Sequence, residues 1–350
     1  MIDVFYKLKA LHTLGIEIYL HTFEYGRGKP KELSAWCKEV FYYNRDSSLS
    51  AIISKTPYIV GSRSSNNLIT NLKKIKAPIL FEGLHTTFPL TVENFSDRKV
   101  VVRAHNIEHL YYKGLSNSEK RIDKKVFFKW QVNKLKRHQK ILNKADKILT
   151  ISPFEQVYFS EIFDYKAEYI PVFHQNTAIK QLSRKGDGAL YHGDLRVADN
   201  KRSVKYLMEI FKKIDYPLVI ASSFNNRSIL KEIAKYKHIS FIQIKDQEHL
   251  LQLMEKAHIN VLPTFQKTGI KLKLINTLYN GRFCVVTPQM VDDTGFEDLC
   301  EVANTKEDFS KKIKDLMERD YHIQIVKQRE KALLSFDTRS SAKKIIDIIY

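Results

Sequence analysis

The stretch Pro263-Thr-Phe-Gln-Lys-Thr-Gly-Ile-Lys-Leu-Lys-Leu-Ile-Asn-Thr-Leu-Tyr-Asn-Gly-Arg-Phe-Cys-Val-Val-Thr287 decides the fold. It follows a strand candidate at Asn260–Leu262 and reads as a glycine-bearing loop, a helix near Ile270–Tyr279, a glycine stop and a strand at Phe283–Val286. A helix that begins near Gly269 turns free N–H groups and the positive end of its dipole toward the carboxyl edge of a parallel sheet. Phosphate binds well there. Lys271 and Lys273 stand in the first turn, where cations are unfavourable unless an anion is bound. Residues two apart on a helix point about 200° from each other, so both reach one phosphate only if Lys271 belongs to the loop. Lysines that simply face water are the competing reading.

The same alternation extends outward. In the first half, strand candidates are Glu17–His21, Glu39–Tyr43, Pro78–Phe81, Lys99–Ala104, Lys147–Ile151 and Glu168–Ile170. Helical patterns lie at Asp3–Leu14, Ser65–Lys74 and Ser118–Lys144. In the second half, strands at Ala189–His192, Leu218–Ala221, Ser240–Ile244, Asn260–Leu262 and Phe283–Val286 alternate with helices near Lys201–Lys213, Ser228–Tyr236, Gln247–Lys256 and Ile270–Tyr279. Helical segments near Thr305–Met317 and His322–Tyr350 close the chain. Repeated strand–helix–strand units predict an α/β protein of two doubly wound, Rossmann-like domains with parallel sheets. The polar stretch Gln181–Gly188 is the linker candidate. The domains expected are 1–180 and 186–335, with 336–350 a helix that packs back on the first. A doubly wound domain opens with a strand, whereas residue 3 here already reads as helix, so the first central strand is expected to be absent.

Composition narrows the function classes. The 350 residues carry a formal net charge of +19, which favours anionic partners. From Lys113 to Lys147 there are twelve Lys or Arg against three acids, a local excess of +9. Apolar residues at Ile122, Val126, Trp130, Leu135 and Leu142 give this segment a stripe that reads first as a core face, with the basic face toward water or acidic lipid. No apolar run is long enough to span a membrane, and the opening residues do not read as a signal peptide. Cys37, Cys284 and Cys300 lack metal-ligand spacing and read as reduced core thiols, which points to the cytoplasm. No Cys-x-x-Cys or Walker sequence occurs, and no metal and no cofactor are expected.

The segment 263–287 resembles the donor-site helix of GT-B glycosyltransferases, especially glycosyltransferase family 4, whose frame reads roughly E-x-F-G-x-P-x-x-E-A-x-A-x-G-x-P-V-V. Gly281 and Cys284-Val285 fit it, Phe283 replaces the proline, and Lys273 falls where relatives with a K-x-x-E-Y variant place a lysine. Both family glutamates are missing, with Thr268 and Asn276 in their places, and Gly269 comes two positions early. Tyr191-His-Gly-Asp-Leu-Arg-Val-Ala-Asp-Asn200 resembles the family's first donor-domain loop, with Gly193 allowing close approach to a diphosphate and Arg196 placed to pair with it. Lys99-Val-Val-Val-Arg-Ala-His-Asn-Ile-Glu-His109 resembles the strand that ends in a histidine near the reacting sugar and acceptor hydroxyl. That makes His105 the catalytic candidate, with Arg103, Asn106, Glu82 and His85 beside the acceptor.

The resemblance implies two domains facing a cleft. It also implies transfer of a sugar from a nucleotide-sugar donor to a hydroxyl of a polysaccharide or lipid-linked glycan, with retention and without a metal. It places such a hexosyltransferase in the cytoplasm, at the inner face of the membrane. Two other classes stand beside it. A catalytically degenerate scaffold or partner subunit fits the absent strand and glutamates. A nucleic-acid-binding protein fits the charge, but none of its recognition modules is visible.

Overall fold

The computed structural model describes residues 2–26, 28, 30–266 and 272–350. The chain divides into two compact units, Met1–Gln175 with Ser335–Tyr350, and Asn176–Leu334. The expected features at Thr268, Gly269 and Lys271 lie outside the described residues.

The first unit holds strands β1 (Tyr19–Phe23), β2 (Glu39–Tyr43), β3 (Ile79–Glu82), β4 (Val100–Ala104), β5 (Lys147–Thr150) and β6 (Ala167–Tyr169). All their pairings are parallel. β1 and β2 form one ladder, and β3, β4, β5 and β6 form a second sheet in chain order. Every residue of β4 is buried, because helices cover both faces of a parallel sheet. On one face Val101 and Leu149 pack with Leu11 of helix Ile2–Thr13 and with Ala342 and Ile345 of helix Thr338–Ile349. On the other, Val102 and Ile148 meet Leu68, Leu72 and Phe159. Neighbouring residues of one strand thus serve opposite cores, as the pleat requires.

The second unit is a parallel sheet of β7 (Ala189–His192), β8 (Leu218–Ser222), β9 (Ile239–Gln243), β10 (Ile259–Leu262), β11 (Phe283–Val286) and β12 (Glu301–Val302), in the spatial order β12-β11-β10-β7-β8-β9. The chain winds outward from β7 to β9, then restarts at β10 on the other side of β7. The β7–β10 boundary is therefore the topological switch point, where doubly wound sheets bind ligands beyond the carboxyl ends of the strands.

Strand candidates read from sequence all recur, with ends shifted by two residues at most. Glu301–Val302 was too short for a periodic signal and pairs with Val285 and Val286. The long helix expected at 118–144 is divided. One helix ends at Ser118, and the Glu119 carboxylate accepts from the N–H groups of Lys120 and Arg121 before the next, Ile122–His138. Its apolar stripe needs a larger correction. Leu135 and Leu142 are buried, but Ile122, Val126 and Trp130 are 79%, 62% and 41% exposed. The N-terminal half of this helix projects beyond the core it was expected to face. The closing segment is also divided, with Asp337 capping Thr338–Ile349 by accepting from Ser340 N–H. Of the cysteines, Cys37 and Cys284 are buried, Cys300 is partly so, and none is in a disulfide.

Candidate active site

In the second unit, β7 ends at His192 and the chain turns through Gly193 into helix Ala198–Phe211, while β10 leads on toward helix Leu272–Asn280. Both helices start at the carboxyl edge, one on each side of the switch point. Lys273, in the first turn of the second helix, reaches across to the first. Its Nζ donates to Asn200 Oδ1 at 2.5 Å and lies 5.2 Å from the centre of the Tyr191 ring. Asn200 is fixed in turn, with Nδ2 donating to the Asp194 carbonyl at 2.8 Å and Oδ1 accepting from Tyr191 Oη at 3.2 Å. A Cβ at Gly193 would stand 2.7 Å from Lys273 Nζ and 3.1 Å from Asn200 Cγ, so only glycine leaves room there. Burial and then the Lys273 ammonium push the His192 imidazole down to about 3, which leaves it neutral at physiological pH.

The remaining donor-side candidates fall differently. Arg196, expected to pair with a diphosphate, instead chelates the Asp194 carboxylate and stacks 3.4 Å from the Phe224 ring centre. Asn276 is buried, and its Oδ1 accepts from Asn176 Nδ2 at 2.9 Å. A helix-interior asparagine used in this way braces a neighbouring loop. Of the expected donor residues that are described, Gly193 and Lys273 meet at one point. Asn200, the last residue of the loop quoted from sequence but not singled out there, is the group that holds them together.

In the first unit a charged cluster sits at the carboxyl edge of β3 and β4. Arg103, 0% exposed, donates to both Asp3 carboxylate oxygens at 2.9 Å and to the carbonyls of Ile170 and Pro171. Asp3 also accepts from the Phe173 N–H at 2.8 Å. Lys7, one turn along the same helix, pairs with Glu82. Glu82 in turn meets His105, Oε2 to Nε2, at 3.1 Å. Arg103, expected to face the acceptor, is therefore a strut whose donors are already engaged.

The accessible members of the cluster are His105 and Glu82, with side chains 17% and 21% exposed, while Asp3, Lys7 and Arg103 are sealed. Burial would raise both carboxyls. Arg103 and Lys7 more than offset it at Asp3, which stays well below the usual range, and Lys7 and His105 hold Glu82 at about 2. Glu82 is thus a permanent anion that orients the imidazole of His105.

His85 belongs to the same edge. Its ring centre lies 6.5 Å from that of His105, and burial, then Arg63 and His105, push it down to about 3. It reaches this place through Gly83, whose φ is +82° and where a Cβ would stand 2.6 Å from the His85 ring. The Asn106 side-chain oxygen is buried without a hydrogen bond among the described residues. Nearby, burial pushes Glu108 up to about 7 despite Arg63. Asp3, Glu82 and His105 bring three potential ligand atoms within 4.8 Å, but Arg103 and Lys7 already balance both carboxylates, so the site is not built for a cation.

No protein-family model matches the chain. It is 26% identical over 313 residues to an uncharacterized 44.6 kDa protein in the cps region of Klebsiella pneumoniae, covering 84% of this chain and 80% of the relative. Among solved structures it superposes on TarM with a TM-score of 0.59 at 13% identity, over 80% of this chain and 57% of TarM. On UGT89C1 of Arabidopsis thaliana, in complex with UDP, the TM-score is 0.60 at 12% identity, over 100% of this chain and 97% of the neighbour. The likeness establishes a common fold: two parallel α/β units of the GT-B glycosyltransferase type.

Proposed function

We propose that the chain is a glycosyltransferase that moves a sugar from a nucleotide-sugar donor to a hydroxyl of a polysaccharide or lipid-linked glycan. The observation that carries this reading is Lys273 at the switch point, held by Asn200 over the space that Gly193 leaves open. A cation in the first turn of a helix is unfavourable without an anion, and a diphosphate beyond the strand ends supplies one. The neighbour solved with UDP supports a nucleoside diphosphate as that anion.

In the reaction, the bond from the anomeric carbon to the diphosphate oxygen breaks, and the acceptor oxygen bonds to that carbon with retention and without a metal as its proton passes to the departing diphosphate oxygen. Lys273 and the dipole of its helix stabilise the charge on the departing diphosphate. On the first unit His105, oriented by Glu82, hydrogen-bonds the acceptor hydroxyl. The test is calorimetric titration with UDP and other nucleoside diphosphates, followed by turnover of nucleotide sugars with and without EDTA. No nucleotide binding would leave a scaffold role in its place.

The exposed helix face supports work at an acidic membrane surface from the cytoplasmic side. Among the described residues no helix is long and apolar enough to cross a membrane. Ile122, Val126 and Trp130 recur one turn apart on helix Ile122–His138, amid Lys124, Lys125 and Lys129. Lys134 ties this helix to the end of helix Leu49–Ile53 by donating to the Ile52 carbonyl at 3.1 Å, and Leu49 and Ile53 are 77% and 71% exposed. Apolar side chains ringed by lysine suit insertion among anionic headgroups.

A further inference from the structure

We propose that Arg45 and Arg63 form an oxyanion subsite for the acceptor, so that the glycan offering its hydroxyl to His105 also carries a phosphate or a carboxylate for these two guanidiniums to hold. The proposal rests on the transferase reading of the first unit and narrows the class of acceptor.

The backbone brings both side chains to the edge that carries His85 and His105. Tyr25 and Arg45 each stand two residues past the end of their strands, β1 and β2. Arg63 follows the short helix Tyr58–Gly61, which packs on the turn Leu84–Thr86 that bears His85. The two loops are tied at Ser62. Its carbonyl accepts from Asp46 N–H at 2.9 Å, and its Oγ accepts from Arg45 Nη2 at 2.9 Å. Arg63 Nη1 donates to the Ile59 carbonyl. The ring of Tyr25 holds both guanidiniums, its centre 4.7 Å from Arg45 Cζ and 5.4 Å from Arg63 Cζ.

Two partly buried like charges around one ring repel each other, and the chain does not neutralise them. Arg98, Arg103 and Arg196 each take a carboxylate partner, and the buried Arg282 and Arg329 are engaged by main-chain carbonyls. Among the described residues Arg45 and Arg63 have no carboxylate at ion-pair distance, and each makes one hydrogen bond, to a neutral oxygen. Arg45 Nε is buried with no hydrogen-bond partner among the described residues. Burial pushes the Arg63 guanidinium down to about 10, against the pull of Tyr112 and Glu108. Glu108 is itself held up to about 7 by burial, so at neutral pH it is about half protonated and balances the pair only in part. The field of the pair reaches the histidines. After burial, Arg63, His105 and Arg45 all push the His85 imidazole down.

A buried N–H without an acceptor is costly, and an oxyanion supplies one. Phosphate and carboxylate are the groups that the planar guanidinium fork fits, and both occur on glycans. The arginines belong to the unit that holds His105, whereas Lys273 stands in the other, so the anion assigned here is the acceptor's and not the donor diphosphate.

The test uses the whole chain and compares methyl glucoside 6-phosphate and methyl glucuronide with neutral methyl glucoside by isothermal titration at low salt. The charged ligands should bind at least about tenfold more tightly than the neutral one, and Arg45→Met and Arg63→Met should each remove about tenfold or more of that preference. The tighter of the two charged ligands then assigns phosphate or carboxylate as the group held. Equal binding of charged and neutral ligands overturns the proposal, and so does a preference unchanged in both arginine variants. Lys273→Met should keep the preference; its loss there would place the anion on the donor side and overturn the proposal as well. A second reading needs no variant to fold. Phenylglyoxal modification of Arg45 and Arg63, followed by peptide mass, should slow about tenfold with a charged glycoside and not with the neutral one, and equal rates count against the site. Titration with UDP separates the two levels of the argument. A chain that binds UDP without preferring charged glycosides keeps the transferase reading and loses the subsite, whereas one that prefers charged glycosides and binds no nucleotide loses the acceptor role assigned to the pair.

Discussion

Lys273→Met removes the ammonium that reaches across the switch point while keeping most of the apolar stem. In the ligand-free chain little should follow. Asn200 retains Tyr191 Oη and the Asp194 carbonyl as partners, and the loss of a positive charge beside neutral His192 relieves an unfavourable contact. The Tm should therefore stay within a few degrees of the parent.

With a diphosphate bound the balance changes. A charge-assisted hydrogen bond contributes roughly 1.5–3 kcal/mol, which corresponds to about one to two decades in affinity. The variant should bind UDP some ten- to hundredfold more weakly, whereas uridine, which has no phosphate, should bind both forms alike. Isothermal titration of both ligands at pH 7.5, at two salt concentrations, measures this, and the parent should show the steeper salt dependence. Unchanged UDP affinity in the variant would refute the assignment of this lysine. So would an equal loss for uridine, since the residue would then be shaping the pocket and not holding phosphate.

Four further outcomes follow from the same structure. His105→Ala should abolish turnover and leave UDP affinity unchanged, and Glu82→Gln should lower kcat by about tenfold or more, since a neutral amide no longer fixes the imidazole; full turnover in either variant by a product-release assay would make the pair structural. Arg103→Met should cost about 3–5 kcal/mol in urea unfolding by stranding the Asp3 carboxylate, and adding Asp3→Asn should recover much of that loss. Acidification should destabilise the second unit as pH falls from about 6.5 toward 3, because His192, held near 3 when folded, takes up its proton on unfolding; His192→Asn should flatten that limb of a Tm-against-pH series. Vesicles rich in anionic lipid should sediment the chain at low salt and neutral vesicles should not, with Trp130→Ser and Val126→Ser weakening retention.

The pattern of alternating apolar runs sufficed for the sheets. Strands buried on both faces must be nearly continuous in Val, Ile and Leu, and Val100-Val-Val or Phe283-Cys-Val-Val leaves little else to form. Gly193 and Lys273 were legible for a related reason, since a glycine after a strand and a lysine at a helix start are local features with local causes. What sequence could not supply was pairing between distant residues. Asp3 and Lys7 read as ordinary positions on a surface helix, yet they are buried against Arg103 and Glu82, which stand 100 and 75 residues further along the chain. Nothing local marks them, because the charge that neutralises each comes from another strand.

The same limit explains the misreading of Ile122, Val126 and Trp130. Periodicity tells that a helix has an apolar face, and only packing decides whether anything covers it. Arg103 and Arg196 show the converse. Both are plausible ligands for an anion by residue type, but each already has a carboxylate partner, Asp3 a hundred residues away for one and Asp194 two residues away for the other. The sequence by itself determined two parallel α/β units, because these depend on residue order within some thirty positions. Tertiary structure alone decided which charges are engaged and which face is bare, because those depend on what the rest of the chain brings into contact.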